Sequence, residues 1–78
     1  MFVKRRIQQK ILEYLKEKGE ATDKELLEII GKEFSISYTD LLKILMYLEI
    51  EGYIEVKLLK DSFNIVQKQH QKGEYYNL

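Results

Sequence analysis

Hydrophobic residues between Lys4 and Lys18 recur at spacings of three and four, the period of one face of an amphipathic helix. The residues on this face are Ile7, Ile11, Tyr14 and Leu15. Lysines in the last turn suit the negative end of the helix dipole, and Gly19 can adopt the left-handed conformation of a C-terminal cap. The pattern therefore predicts a first helix that ends at Gly19.

A second helix is predicted to begin at residues 22–25, Thr-Asp-Lys-Glu, which have the spacing of a capping box. In this motif the Thr22 hydroxyl accepts a hydrogen bond from a free backbone N–H, and the Glu25 carboxylate reaches back to the backbone of Thr22. The apolar stripe that follows consists of Leu26, Leu27, Ile29 and Ile30. We expect this helix to end at Gly31 or shortly after it.

Residues 31–37 mix a glycine and two serines with Phe34 and Ile36, which indicates a turn packed down by its two apolar side chains. A third helix is predicted from Ser37, paired with Asp40 as a cap, to about Glu51. Glu49 and Glu51 lie at the unfavourable end of the dipole of this helix, and the sequence provides no reason for them.

At 100° per residue the third helix divides into a core face and a solvent face. The core face is predicted to hold Tyr38, Leu41, Ile44, Leu45 and Leu48, and the solvent face Thr39, Asp40, Lys43 and Tyr47. Met46 and Ile50 flank the solvent face, and Leu42 lies on the boundary. These three are expected to be buried by the first helix or the hairpin; the alternative is contact with another chain.

After Gly52 the pattern changes to the alternation of a half-buried strand over residues 53–58. A second strand candidate covers residues 74–78. The strands are expected to extend into the segment between them, with a hairpin tip near residues 67–73. A short helix from Ser62 is the competing interpretation of this segment.

Three stretches carry a resemblance to a known family: Ala21-Thr22-Asp23-Lys24-Glu25-Leu26-Leu27, Leu45-Met46-Tyr47-Leu48-Glu49-Ile50-Glu51-Gly52-Tyr53-Ile54, and Lys72-Gly73-Glu74-Tyr75-Tyr76-Asn77-Leu78. Together with the order of elements they resemble the winged helix-turn-helix family over nearly the whole chain. The resemblance implies an α+β fold with three helices followed by a β-hairpin wing, in a single domain over residues 1–78. It also implies that the third helix enters the DNA major groove while the wing contacts the backbone or minor groove.

The implied base contacts on the third helix are Ser37, Tyr38, Thr39, Lys43 and Tyr47. The third helix departs from the usual pattern because it has one lysine and no arginine, whereas arginine pairing with guanine is the commonest specific contact. Polar and basic residues suited to phosphate contacts in the hairpin tip are Lys60, Lys68, Gln69, His70, Gln71 and Lys72. Lys4, Arg5 and Arg6 form a candidate phosphate-binding arm. For each of these groups the alternative is an ordinary solvated surface.

Composition narrows the classes of function. The chain has 78 residues, no cysteine and one histidine, so it lacks a thiolate metal site and the histidine clusters of most catalytic zinc sites. It has no glycine-rich phosphate loop and no nucleophile–base pair, and we expect neither an enzyme nor a bound cofactor or small-molecule ligand. Its apolar runs are too short to span a bilayer, and it has no secretory signal, so we expect a cytoplasmic protein without membrane contact.

Thirteen basic and thirteen acidic residues balance, but they are segregated along the chain. Residues 1–18 carry a net charge of +4, residues 19–55 of −6 and residues 56–78 of +2. A domain with such segregation can present a positive face to a polyanion. We therefore expect the cationic segments to share one side of the molecule with the third helix.

Two functions compete at this point. The first is sequence-specific binding of double-stranded DNA by a transcription regulator, acting as a homodimer because two-fold symmetric half-sites are read by symmetric dimers. The pairing surface would come from the first helix or the C-terminal strand. The second is a winged helix used as a protein-interaction module in a larger assembly, favoured by the acidic middle segment and the absence of arginine from the third helix.

Overall fold

The computed structural model describes residues 4–68. These residues form three helices and a three-stranded antiparallel sheet, an α+β arrangement as expected. The elements are α1 (Lys4–Lys18), β1 (Glu20–Thr22), α2 (Asp23–Glu33), α3 (Tyr38–Ile50), β2 (Ile54–Leu58) and β3 (Phe63–Gln67). Helices followed by a hairpin are compatible with a winged helix.

One hydrophobic core joins all six elements. Its fully buried members are Ile7, Ile11, Leu15, Ala21, Leu26, Ile30, Leu41, Ile44, Leu45, Leu48, Ile54 and Ile65. The helices supply the leucine and isoleucine stripes predicted from their periodicity, and each strand adds one side chain from its inner face. The sheet therefore lies against the helices on one face, which fixes the position of the hairpin relative to α3.

The first helix has the predicted boundaries. Its C-terminus is closed by Gly19 at φ +90°, whose N–H donates to the Leu15 carbonyl at 2.7 Å. The N-terminus of α2 is capped by the Thr22 hydroxyl, which accepts from the Glu25 N–H at 3.1 Å. The predicted return bond from Glu25 is wrong, because its carboxylate accepts from the Tyr14 hydroxyl instead and so joins α1 to α2.

The third helix begins with the predicted capping box. The Ser37 hydroxyl accepts from the Asp40 N–H at 3.1 Å, and an Asp40 carboxylate oxygen accepts from the Ser37 N–H at 3.2 Å. At the other end Gly52, at φ +89°, donates to the Glu49 carbonyl, and Tyr53 donates to the Leu48 carbonyl. These two bonds form a Schellman motif, which turns the chain sharply from α3 into β2.

The sheet has the order β1-β3-β2, so β3 lies in the centre and β2 at an edge. Ala21 pairs with Ile65 in one ladder, and Val56 pairs with Ile65 in the other. The short strand β1 was not predicted. It connects α1 to α2 while extending the hairpin sheet by one strand.

The predicted position of the hairpin tip is wrong. The chain turns at residues 59–62, where the Leu59 N–H donates to the Ser62 carbonyl at 2.7 Å, and residues 63–67 return as β3. The alternative of a short helix from Ser62 is also wrong. The strand candidate at residues 74–78 lies outside the described residues. Among the helices of residues 4–68, none has the length and apolar character needed to cross a membrane.

Candidate functional site

The solvent face of α3 presents a stripe of hydrogen-bonding groups that begins in its N-terminal half and reaches Tyr47. Thr39, Lys43 and Tyr47 are all exposed, and their spacing of four residues places them along one stripe of the helix. Ser37 precedes the stripe and is also exposed, although its hydroxyl oxygen already serves as the helix cap. These four predicted contacts therefore lie where an external ligand can reach them.

A contact between α1 and α3 brings a cation to this stripe. The Lys4 ammonium lies over the Tyr47 ring, 4.7 Å from its centroid, a distance typical of a cation–π interaction. Tyr47 therefore faces the start of α1, not the hairpin. Lys43 is exposed one helical turn before Tyr47 on the same side of α3, and we call Lys4, Lys43 and Thr39 together the basic stripe.

The other two cations of the candidate arm point elsewhere. The Arg6 guanidinium lies 5.8 Å from the centroid of the Phe34 ring, in the turn between α2 and α3. Arg5 lines a shallow groove with Leu48 and Tyr53. The three residues belong to the first turn of α1 and diverge around it, so the predicted arm does not act as one unit.

Nearby, an ion pair fastens α1 to α2. The Lys10 ammonium and Glu33 carboxylate are 2.6 Å apart. Hydrogen bonding to Lys10, with the charge of Arg6 adding to it, lowers the pKa of Glu33 below its ordinary value. Arg6 therefore has an acidic neighbour, which weakens its attraction for a phosphate.

Tyr38 has a structural contact that the sequence interpretation missed. Tyr38 is 37% exposed, so its placement in the core is wrong, and its hydroxyl donates to an Asp23 carboxylate oxygen. This bond raises the pKa of Tyr38 above its ordinary value. The hydroxyl of Tyr38 is thus committed to the protein itself, and only its ring is free to contact a ligand.

The C-terminal half of α3 has a different surface. Met46 is 60% exposed and Ile50 is 78% exposed, so the expectation that α1 or the hairpin buries them is wrong. Leu42 is partly buried and lines, with Met46, Val56 and Leu58, an apolar groove of about 320 Å³ between α3 and the hairpin. An apolar strip therefore continues from the helix towards Leu58, which is 75% exposed.

Glu49, unexplained by the sequence, has a partner in the structure. One of its carboxylate oxygens accepts from the Val56 N–H at 3.2 Å, at the edge of the sheet. The residue therefore stabilises the junction of α3 and β2, which offsets its unfavourable place at the C-terminus of the helix. It also adds negative charge to this half of α3.

The two predicted basic contacts of the hairpin that lie within the described residues, Lys60 and Lys68, are at opposite ends of it. Lys60 is in the tip at residues 59–62, as expected. Lys68 follows β3 at the base, where its N–H donates to the Tyr53 carbonyl at 2.9 Å, so its placement in the tip is wrong. Five strand residues separate the two ends by about 17 Å. The other predicted tip residues, Gln69, His70, Gln71 and Lys72, lie outside the described residues.

A scan against protein-family models, a search of curated proteins and a search of solved structures find no match to this chain. Functional inference consequently depends on the site itself. On the exposed surface of α3, a stripe of hydroxyl and ammonium groups runs from the N-terminal half to Tyr47, and the rest of the C-terminal half is apolar and acidic. Over residues 4–68, no group of three or more His, Cys, Asp or Glu side chains is placed to hold a metal ion.

Proposed function

We propose that this protein is a winged helix-turn-helix transcription regulator that binds double-stranded DNA sequence-specifically as a homodimer. In this proposal α2 and α3 form the helix-turn-helix, and β2 and β3 form the wing. Helix-turn-helix proteins contact base edges with the N-terminal residues of the recognition helix. The polar half of α3 is the half that this geometry requires.

The observation that carries the proposal is the contact between Lys4 and Tyr47. It places a cation from the start of α1 on the same surface as Lys43, although the two lysines are far apart in sequence. An ammonium group beside a recognition helix can contact a phosphate that flanks the major groove, and we assign this role to Lys4. Lys43 and Thr39, in the N-terminal half of α3, are the side chains that we assign to base contacts.

Selection from a pool of random duplexes tests the proposal. We expect repeated rounds of binding to enrich a preferred sequence. Lys43→Ala should then weaken binding to that sequence by about 1–3 kcal/mol and relax discrimination at one or two positions, because it removes a base contact. Lys60→Ala and Lys68→Ala should weaken binding to all duplexes alike, because phosphate contacts carry no direct sequence information.

Lys16→Ala is the matched control. Lys16 is an exposed lysine of the same helix as Lys4, but it lies about three turns from Lys4, beside Glu13 and Glu17. Its removal should leave both affinity and discrimination unchanged. Equal losses from Lys16→Ala and Lys43→Ala would contradict a defined contact surface, and failure of the pool to enrich at low salt would contradict DNA binding.

The apolar strip favours a second candidate function, a protein-interaction module. Exposed Met46 and Ile50 on one helix face provide the kind of surface that binds another protein. These apolar side chains neither neutralise phosphates nor donate hydrogen bonds to them, and the negative charge of Glu49 beside them repels DNA. A pool of duplexes that remains unbound at low salt would favour this second function.

A further inference from the structure

Within residues 4–68, β2 pairs with β3 along one edge and no strand pairs with its other edge. In the antiparallel ladder with β3, the Lys68 N–H bonds to the Tyr53 carbonyl and the Leu59 N–H to the Ser62 carbonyl, so odd-numbered residues face β3. The even-numbered residues of β2 point their N–H and C=O groups away from the sheet. These groups, from Ile54, Val56 and Leu58, form a row along the edge that no strand of the described residues 4–68 occupies.

Glu49 covers one position in this row. Its carboxylate accepts from the Val56 N–H at 3.2 Å, which confirms that this N–H points outwards. Covering an edge in this way limits uncontrolled strand pairing. The bond is exposed, however, so a partner strand can displace it.

The sequence of β2 is complementary to itself. It reads Ile54-Glu55-Val56-Lys57-Leu58, with an apolar residue at the centre and at both ends and opposite charges on either side of the centre. When two copies run antiparallel with Val56 opposite Val56, each Glu55 lies opposite a Lys57. Opposite charges at such positions stabilise a strand pair.

Only this symmetric register is electrostatically favourable. Only the even-numbered residues of β2 point their backbone groups outwards, so hydrogen bonds across the edge must join even-numbered residues of the two copies. The two nearest shifted registers that keep two-fold symmetry therefore place residue 55 or residue 57 on the symmetry axis instead of Val56. One such shift places Glu55 opposite Glu55, and the other places Lys57 opposite Lys57. Like charges directly opposite each other destabilise strand pairs, so both shifts are disfavoured.

We propose that β2 binds β2 of a second copy of this chain, forming a continuous six-stranded sheet with its two-fold axis between the two Val56 residues. Ile54 of one copy pairs with Leu58 of the other, which covers a side chain that is 75% exposed in the single chain. Glu55 and Lys57 are exposed on the outer face of the sheet, where their side chains are free to form the two ion pairs. A five-residue edge buries little surface, so we expect a weak, concentration-dependent dimer.

Charge reversal tests the register. Glu55→Lys and Lys57→Glu should each weaken dimerisation about ten-fold in sedimentation equilibrium, because each replaces two attractive pairs with two repulsive ones. The double variant Glu55→Lys/Lys57→Glu restores opposite charges at both positions and should recover the parental dimer. A parent that stays monomeric at millimolar concentration, or single variants that dimerise as the parent does, would overturn the proposal.

Cysteine cross-linking provides a second test, which reports directly on the register of the paired strands. The chain has no cysteine, so single variants have no background. In the proposed register residues 55 and 57 of different copies lie about 4.5 Å apart at Cα, within disulfide range, whereas identical positions lie about 7–8 Å apart. An oxidised mixture of Glu55→Cys and Lys57→Cys should form a cross-linked dimer more readily than either variant alone. Equal cross-linking in all three samples would overturn the register.

A third test removes the Glu49 carboxylate that bonds to the outer edge of β2. Glu49→Ala frees the Val56 N–H and should tighten the dimer several-fold, whereas Glu51→Ala, at a neighbouring exposed carboxylate, should not change it. A weaker dimer in Glu49→Ala would mean that the carboxylate belongs to the interface and would overturn the competition proposed here. Because pairing is measured without DNA, its failure would leave the proposed DNA contacts of α3 standing, whereas a parent that stays monomeric would also contradict the homodimer of the proposed function.

Discussion

Asp23 has the most connected polar side chain in the interior. It is 2% exposed and accepts hydrogen bonds from the Tyr38 hydroxyl, the Phe63 N–H and the Lys24 N–H. Burial alone would raise the pKa of this carboxyl, but these bonds outweigh burial and lower the pKa below its ordinary value. One carboxylate thus fixes the start of α2 to α3 and to the beginning of β3, which sets the hairpin beside α3.

Replacing Asp23 with asparagine should therefore reduce the free energy of unfolding at neutral pH by about 1–3 kcal/mol, because charge-assisted bonds to buried backbone and hydroxyl donors become neutral ones. A group with a lowered native pKa contributes its stability above its unfolded pKa of about 3.9, and that contribution disappears as the pH falls through the native pKa. The difference between parent and variant should then narrow below about pH 4. Urea titrations at several pH values between neutral and acid measure this difference in the free energy of unfolding.

Asp61→Asn is the matched control for this prediction. Asp61 is exposed in the hairpin tip, so its replacement should leave the free energy of unfolding within about 0.5 kcal/mol of the parent at neutral pH. If the difference between Asp23→Asn and the parent were constant from neutral to acid pH, the ionised form of Asp23 would not be the stabilising one.

At the scale of the elements, local signals explain why the helices were predicted well. Caps and breakers such as Ser37, Gly19 and Gly52 act within one turn, so their effect is visible in a few residues of sequence. Strand β1 has no such signal, because three residues form a strand only by pairing with residues 64–66 far along the chain. The hairpin tip lacks the glycine that usually marks a tight turn, and its position was therefore misjudged.

In the candidate site, too, features set by local sequence were predicted and features set by contacts between elements were not. The exposure of Thr39, Lys43 and Tyr47 follows from helical periodicity alone and was predicted correctly. The contact of Lys4 with Tyr47 and the bond of Glu49 to Val56 depend on how separate elements pack, and periodicity has no information on that. The exposure of Met46 and Ile50 also depends on how far α1 and the hairpin reach around α3.

Alanine substitution at two glycines should change the stability of the protein in opposite directions. Gly52 has φ +89° with open space around a Cβ, so Gly52→Ala should cost about 1–2 kcal/mol through backbone strain alone. Gly31 lies inside α2 without a positive φ and with the same open space, so Gly31→Ala should stabilise the protein by about 0.5–1 kcal/mol. Urea denaturation of both variants measures the two signs. A destabilised Gly31→Ala would contradict the continuous path of α2 through this residue.

For the molecule as a whole, the distribution of charge matters more than its total. Formal net charge is zero, yet the basic stripe unites cations from α1 and α3 while Glu49 and Glu51 lie at the far end of α3. DNA bound along the stripe would keep these carboxylates at the C-terminal end of the helix, away from the base-contacting half. Electrostatic attraction for DNA is therefore expected to be local, short-ranged and sensitive to salt.

Salt dependence should separate the lysines by role. Each phosphate neutralised by the protein contributes about −0.9 to the slope of log K against log salt concentration. Lys4→Ala should make the slope less negative by about that amount, because Lys4 is assigned to phosphate, whereas Thr39→Ala should lower affinity for the preferred sequence without changing the slope. Fluorescence anisotropy of a labelled duplex over a range of salt concentrations measures both.

Tyr47→Phe and Tyr47→Ala distinguish an organised contact from a general excess of positive charge. Phenylalanine preserves an aromatic face for the Lys4 ammonium, so its slope should match the parent, whereas alanine releases the ammonium and should shift the slope in the direction of Lys4→Ala. If Tyr47→Ala left the slope unchanged while Lys4→Ala made it less negative, Lys4 would bind phosphate without being positioned by α3. The basic stripe would then be a set of independent cations, and recognition would depend on Lys43 and Thr39 alone.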